Sequence, residues 1–294
     1  MEFSAASTAA TARRAATIYG LTDPDPQLVR LGENAVWRFG GERIIARIAR
    51  SPQRMAGARR EMAIAAWLAG EGIPVVRPAP GMPGPLTVDG LPVTLWVEVP
   101  DPSPSTPEQL GQALRALHRL TAPDHLRLEQ VEPLHGVDAR LHAAPLDDGD
   151  RDFLLGLAKR LAAAYTETDF ALPVGVVHGD AHVDNLVYGS DGTLAFVDLE
   201  DFALCHPEWD LVLTAIERDC GWITGEAYDQ FAAVYGYDVT AGPGYEVLRS
   251  IRLLRMTSWL AQMAGESERA AAEVAHRVET LRQASPDVSD WNAF

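Results

Sequence analysis

Cysteine is scarce in this chain: Cys205 and Cys220 are the only two among 294 residues. Two thiols cannot build a disulfide framework, and their spacing fits no zinc or redox motif. The expectation is a pair of free thiols in a reducing cytoplasm. Cations are in deficit as well. Lys plus Arg number 25 against 41 for Asp plus Glu, a formal net charge of −16. Phosphate backbones need clustered cations, so no nucleic acid is expected as a partner, and no anionic membrane surface. A cationic small molecule suits the balance, although acidity also serves solubility alone. Long apolar runs are missing: none approaches the roughly 18–20 residues needed to span a bilayer. Arg13-Arg14 lacks the apolar stretch of an export signal, because Asp23-Pro24-Asp25-Pro26 follows within a few residues. A short helix is expected at the N-terminus instead. There is no internal repeat. What remains is a chain for the cytoplasm, 47% apolar and 22% charged, with ample material for a packed core.

The first third mixes strand and helix signals. Leu28–Leu31, Ala35–Phe39 and Arg43–Ile48 read as strands, the first two separated by Gly32-Glu33-Asn34 and the last two by Gly40-Gly41. Arg59–Ala69 reads as a helix with Met62, Ala65, Ala66 and Ala69 on its apolar face, stopped by Gly70 and Gly72. Leu86–Val88, the turn Asp89-Gly90 and Val93–Val97 read as a hairpin. Pro100, Pro102, Pro104 and Pro107 then give the strongest linker signal in the chain. Beyond them the sequence is mainly helical. Thr106-Pro107-Glu108 opens a helix carrying Leu110, Leu114 and Leu117, and helical spacing returns over Asp150–Thr166 and Tyr245–Gln283. The expected architecture is α+β in two lobes. Residues 1–98 form a small β lobe with one helix, and residues 99–294 a larger, mainly helical lobe.

One β-type interruption, Val174–Val197, breaks the helical half and holds the informative run. It reads His178-Gly179-Asp180-Ala181-His182-Val183-Asp184-Asn185, then Leu186-Val187-Tyr188, the turn Gly189-Ser190-Asp191-Gly192, and Leu194-Ala195-Phe196-Val197-Asp198-Leu199-Glu200. Two apolar strands around a tight turn make a hairpin, which sets Asn185 beside Asp198. Asp180 lies five residues before Asn185, so three oxygen-bearing side chains are expected to converge at the mouth of a cleft. Oxygen donors of this kind suit Mg²⁺. Asp-x-x-x-x-Asn followed by a strand-borne Asp is the arrangement of kinase phosphoryl transfer, a base followed by two metal ligands. Any one of these residues alone would read as a turn or cap residue; the spacing of all three is the signal. His178 and His182 invite a metallohydrolase reading, but the Gly-Asn-His-Asp/Glu box that such binuclear enzymes need is missing. Both are expected to brace the loop.

The run His178 to Asn185 followed by Val197-Asp198-Leu199-Glu200 resembles the aminoglycoside phosphotransferase family of small-molecule kinases. The resemblance implies a protein-kinase-like fold, Asp180 as catalytic base, and Asn185 and Asp198 as Mg²⁺ ligands. His206-Pro207-Glu208-Trp209-Asp210-Leu211 is similar to the segment that follows the metal-binding Asp, where Asp210 would brace the catalytic loop. The small lobe would bind ATP. Gly32-Glu33-Asn34 stands where a phosphate-covering loop is expected, with Asn34 on it. Arg47 stands for the usual strand lysine, with Glu61 as its helix partner. Arg is bulkier than Lys and forks onto phosphate differently, which is a departure from the family pattern. The backbone of Glu98 and Val99 would meet the adenine edge. Leu117-His118 matches a frequent family pattern.

The expected activity is ATP- and Mg²⁺-dependent phosphorylation of a hydroxyl on a small molecule, an aminoglycoside or other antibiotic. The alternatives are a metabolite kinase for a choline- or homoserine-like substrate, and a catalytically silent nucleotide-binding protein. Glu217, Asp219 and Glu226 are candidate carboxylates for a polycationic acceptor, and Trp222, Tyr228 and Trp259 candidate walls for an apolar one. Each could equally be surface or core.

Overall fold

A computed structural model describes residues 3–22, 25–32, 34–82 and 84–294. In chain order its first elements are α1 (Ala5–Tyr19), β1 (Gln27–Leu31), β2 (Asn34–Phe39), β3 (Ile44–Ala49), α2 (Met55–Gly70), β4 (Leu86–Val88), β5 (Leu91–Val97) and β6 (Ser103–Pro104). Then follow α3 (Pro107–Leu117), α4 (Val137–Ala143), α5 (Asp148–Glu167), β7 (Gly175–Val177), β8 (Leu186–Tyr188), β9 (Leu194–Phe196) and β10 (Ala203–Cys205). The chain ends with α6 (Glu208–Asp219), α7 (Gly225–Tyr235), α8 (Tyr245–Ala261) and α9 (Glu268–Leu281). Asp23 and Pro24 of the Asp-Pro run, and Glu33 of the predicted phosphate loop, lie outside the described residues.

The chain divides into two compact units. The first holds the chain up to Ser105 together with Pro123–Arg127 and Val183–Phe202. Its centre is an antiparallel sheet in the order β1-β2-β3-β5-β4. Side chains alternate across a strand, so Ala35, Trp37 and Phe39 of β2 and Ile44, Ala46 and Ile48 of β3 enter the core together. The β4–β5 turn places Asp89 at φ 53° and Gly90 at φ 80°, the two left-handed residues a tight hairpin needs. Asp89 also accepts from Thr11 Oγ1 at 2.6 Å and Arg14 Nε at 3.0 Å, which ties α1 to the turn. Met62, Ile64, Ala65 and Leu68 of α2 are buried, each large side chain contributing about 1.5–3 kcal/mol. A second sheet runs β6-β8-β9, and Phe196 of β9 exchanges backbone hydrogen bonds with Pro74 and Val76.

The proline-rich stretch is therefore more than a linker. Ser103 and Pro104 pair with Tyr188 and Val187 as an edge strand, where the missing proline N–H is not needed by a further neighbour.

The second unit holds Thr106–Ala122, Leu128–His182 and Ala203–Phe294. Thr106 caps α3 reciprocally with Gln109, a capping box satisfying otherwise orphaned amides. The expected helical span at the C-terminus is two helices, because α8 ends at Ala261 and Ser267 caps a new one through Ala270 N at 3.3 Å. Cys205 and Cys220 are both buried thiols. No helix among the described residues is long and apolar enough to cross a membrane.

Gly111 marks a close approach of α3 and α7. A Cβ there would sit 2.8 Å from the Phe231 carbonyl oxygen and 2.8 Å from Val234 Cγ2. Gly111→Val is expected to cost about 1–3 kcal/mol through overpacking, read as a lower urea midpoint with an unchanged slope. A midpoint equal to the parent would show that the two helices separate freely.

Candidate active site

The β8–β9 hairpin sets its register at Leu186↔Phe196, and Val197 N donates to Asn185 O at 2.9 Å. Asn185 and Asp198 thus stand at the same open end of the hairpin, as the sequence predicts. Asp198 has φ 57°, a left-handed conformation that Asp tolerates better than most residues but that still needs outside support. The support comes from α2. Arg60 donates to the carbonyl of Glu200 at 3.0 Å and to that of Phe202, and Leu199 is fully buried. One carboxamide and one carboxylate are hard oxygen donors, which fits a divalent cation that keeps several waters. Among the described residues, no group of three or more His, Cys, Asp and Glu side chains is arranged to hold a metal ion.

Within the same unit, Asn34, Arg47, Arg54, Arg60, Glu61 and Glu200 line a cavity of about 140 Å³. Arg47 and Glu61, predicted as partners, form a half-buried ion pair at 2.5 Å. Arg47 also lies 3.6 Å from Glu200, which Arg54 approaches to 3.5 Å. Burial pushes the Glu61 carboxyl above its ordinary range, opposed by Arg47 and reinforced by the charges of Asp198 and Glu200. Three carboxylates, Glu61, Asp198 and Glu200, therefore share the neighbourhood of the Arg47 guanidinium. Glu98 and Val99 do not line this cavity. The Glu98 amide donates to Arg43 O at 2.8 Å and its carboxylate accepts from Arg38 Nε at 2.5 Å.

Asp180 belongs to the second unit. Its loop leaves β7, which pairs with β10. His178 N and Gly179 N donate to the two carboxylate oxygens of Asp210 at 2.7 and 2.9 Å. Gly179, at φ 91°, turns its carbonyl towards Trp209 Nε1 at 2.9 Å and Arg252 Nη2 at 2.8 Å. Asp210 is fully buried and also meets His118 Nε2 at 3.0 Å, while His118 Nδ1 meets the Tyr235 hydroxyl at 2.8 Å. The bracing part assigned to Asp210 is thus visible as hydrogen bonds, and His118 is part of it.

The Asp180 side chain is 47% exposed. His182 Nε2 lies 3.6 Å from one carboxylate oxygen and Arg252 Nη1 3.7 Å from the other. Burial raises its pKa, but His182, Arg252 and His178 outweigh this and hold it down at about 2. The group is an anion throughout the neutral range. Arg252 is absent from the sequence-derived site, as are Arg54, Arg60 and Glu200. Glu200 carried a signal in its spacing from Asp198. A lone arginine on an amphipathic helix carries none.

The acceptor candidates separate clearly. Asp219 accepts from Arg218 at 2.6 Å, Arg249 at 2.8 Å and the Tyr245 hydroxyl at 2.8 Å, so its charge is balanced within the fold. Tyr228 is core, with its hydroxyl on Asp238 at 2.7 Å. Trp222 is only partly exposed and donates to Trp291 O at 2.9 Å, and Trp259 is about half exposed. Glu226 is exposed in the first turn of α7.

Comparison with known proteins gives these features a common setting. The sequence profile of APH, the phosphotransferase enzyme family, matches residues 28–251. An amicoumacin kinase bound to AMP-PNP, Ca²⁺ and Ami is similar in structure, with a TM-score of 0.68 and 16% identity over 91% of this chain and 90% of that one. A spectinomycin phosphotransferase bound to ADP and spectinomycin gives 0.66 and 12% over 95% and 96%. A choline/ethanolamine kinase family protein from Mesorhizobium loti gives 0.61 and 21% over 97% of both chains. No functionally curated protein is matched in sequence. The fold is kinase-like, as the sequence resemblance implied. The chain belongs to the APH phosphotransferase family, and it is a phosphotransferase.

Proposed function

We propose that the protein transfers the γ-phosphoryl group of ATP to a hydroxyl of a small molecule, with Mg²⁺, and that the acceptor is an antibiotic. The observation that carries this is the braced, anionic Asp180 five residues before an Asn185 whose hairpin partner is a left-handed Asp198. Asn185 and Asp198 would hold the divalent ion, which would supply charge neutralisation for the phosphates. Arg47, kept in place by Glu61, would face the ATP phosphates, with Asn34 on the covering turn. The Glu98 carbonyl and Val99 amide would take the adenine edge, since the Glu98 amide is already engaged.

Asp180 would accept a hydrogen bond from the acceptor hydroxyl and aim its oxygen at the γ-phosphorus. As the new O–P bond forms and the β–γ bridging O–P bond breaks, the hydroxyl proton passes to Asp180 and ADP leaves. A carboxylate with so low a pKa is a weak base. It takes that proton late, after the hydroxyl oxygen has begun to bond to phosphorus, and contributes mainly by orientation before then.

The antibiotic reading draws on two of the structural relatives, whose described ligands are amicoumacin and spectinomycin. The net charge of −16 adds an electrostatic preference for cationic acceptors. The choline/ethanolamine kinase relative keeps a metabolite acceptor as the second reading. ADP release with Mg²⁺ and ATP, measured across aminoglycosides, spectinomycin, amicoumacin, choline and homoserine, separates these. Release stimulated by an antibiotic supports the proposal. Release with choline or homoserine alone supports the metabolite kinase. Tight ATP binding with no stimulated release would mark a silent nucleotide-binding protein.

A further inference from the structure

We infer that Arg252 is a positioning residue for phosphoryl transfer: its guanidinium, locked between the loop backbone and Trp209, holds the Asp180 carboxylate in place. The inference rests on the assignment of Asp180 as the base. Arg252 lies on α8, 72 residues after Asp180, and its side chain is 3% exposed. Removing a guanidinium from water is costly, so a buried one must be compensated by close partners. Nη2 donates to Gly179 O at 2.8 Å and to Trp209 O at 3.0 Å. The guanidinium carbon stacks 4.0 Å from the centre of the Trp209 ring, a desolvated cation–π contact. These contacts immobilise a side chain that is otherwise rich in rotamers. The remaining amino group, Nη1, is left 3.7 Å from Asp180 Oδ1.

A purely structural arginine would need only the two carbonyls and the ring. The Nη1 contact adds a fixed positive charge at the reactive carboxylate, too long for a hydrogen bond and well within Coulombic range. Asp180 is faced by His178 and His182 from its own loop and by Arg252 from α8. Behind the loop, Asp210 of α6 is matched by His118, which follows the end of α3. Arg252 is the permanently charged cation in that set, since histidine charge changes near neutrality. The consequence is a carboxylate that keeps one fixed positive charge beside it whatever the protonation of its histidine neighbours.

Arg255 supplies the control. It also stacks on Trp209, at 5.6 Å, and donates to Pro133 O at 3.3 Å. The experiment follows the Asp180 carboxyl by ¹³C NMR in protein carrying labelled aspartate, its resonance assigned by loss in Asp180→Asn. In the parent and in Arg255→Met the signal is expected to stay flat between pH 4 and 8. In Arg252→Met it is expected to titrate at the acid end of that window, its midpoint moving up by about 2–3 pH units. Arg252→Lys, which retains the charge, restores the flat profile. Should Arg252→Met fail to fold, Arg252→Gln serves for the same measurement. A flat profile in the neutral variant overturns the inference.

With an acceptor identified by ADP release, Arg252→Met is expected to lose about 10²-fold in kcat. Its KM for ATP should stay within about twofold, and an acid limb should appear in log kcat against pH. If no compound on the panel is phosphorylated, the functional assignment fails, yet the NMR titration still decides the coupling between Arg252 and Asp180.

Discussion

Asp180→Asn is expected to lower kcat by about 10²–10⁴ while ATP binding stays within a few-fold of the parent. Asparagine has the volume and shape of aspartate, and the loop does not rely on the Asp180 side chain for its conformation. Its backbone is held instead by Asp210, Trp209 and Arg252. What disappears is one negative charge and one proton acceptor. Asp180 is not among the residues that line the cavity of Arg47 and Glu61, so nucleotide affinity should register little. The low pKa sharpens the expectation. Because Asp180 titrates at about 2, the parent should lose no activity to protonation of this residue between pH 5 and 8, and the loss in Asp180→Asn should be the same across that range. Steady-state ADP release and ATP titration by calorimetry provide the two measurements. Turnover of Asp180→Asn within tenfold of the parent would remove the base from the mechanism and leave positioning to other groups.

Much of the scaffold around this site could be read from local chemistry. Asp89-Gly90 announces its hairpin because few residues accept the left-handed angles that turn requires, whereas in the turn after Gly40-Gly41 the left-handed residue is Arg43, at φ 55°. The Arg47–Glu61 pair follows from a strand cation and a helix carboxylate at kinase-like positions, and the ion pair forms. The hairpin joining Asn185 to Asp198 is encoded by two short apolar runs around Gly189-Ser190-Asp191-Gly192, and it too is present.

What escaped the sequence acts over long separations. Arg252 and Arg249 are three residues apart on α8, and both are buried among loop carbonyls and carboxylates. On a helical projection such arginines look like solvent-facing cations, since burial of a charge depends on partners the projection does not contain. The same blindness made Asp219 look available to an acceptor, when Arg218, Arg249 and Tyr245 already surround it. Arg60 is a third case. Next to Glu61 in sequence, it reaches the carbonyls of Glu200 and Phe202 and so supports the strained Asp198 from 138 or more residues away. Turn chemistry is local and legible; the brace around the chemistry is tertiary.

Asp210→Ala is expected to be the most destabilising single substitution near the site, at about 3–5 kcal/mol. The carboxylate is fully buried and receives two backbone amides and an imidazole. Truncation leaves the His178 and Gly179 amides without their acceptor in a region water cannot easily enter, each costing about 1–3 kcal/mol. It also strands the His118 ring between the lost carboxylate and Tyr235. Burial opposes ionisation of Asp210, but His118, His178 and the His178 amide reverse the balance and hold its pKa below the usual carboxylate range. The unfolded chain therefore binds the proton more readily. The stabilisation is present in full above the unfolded value near 3.9 and is lost as pH falls from there through the lower folded value. Guanidine unfolding at pH 7 should show the full loss for Asp210→Ala. The gap between variant and parent should narrow as pH falls below the unfolded value and on through the lower folded one, where the parent surrenders the same interaction. Activity should vanish along with stability in Asp210→Ala, whereas Asp180→Asn should lose activity at parental stability. A stable but inactive Asp210→Ala would mean that the two amides find other acceptors, and that Asp210 serves the chemistry rather than the loop.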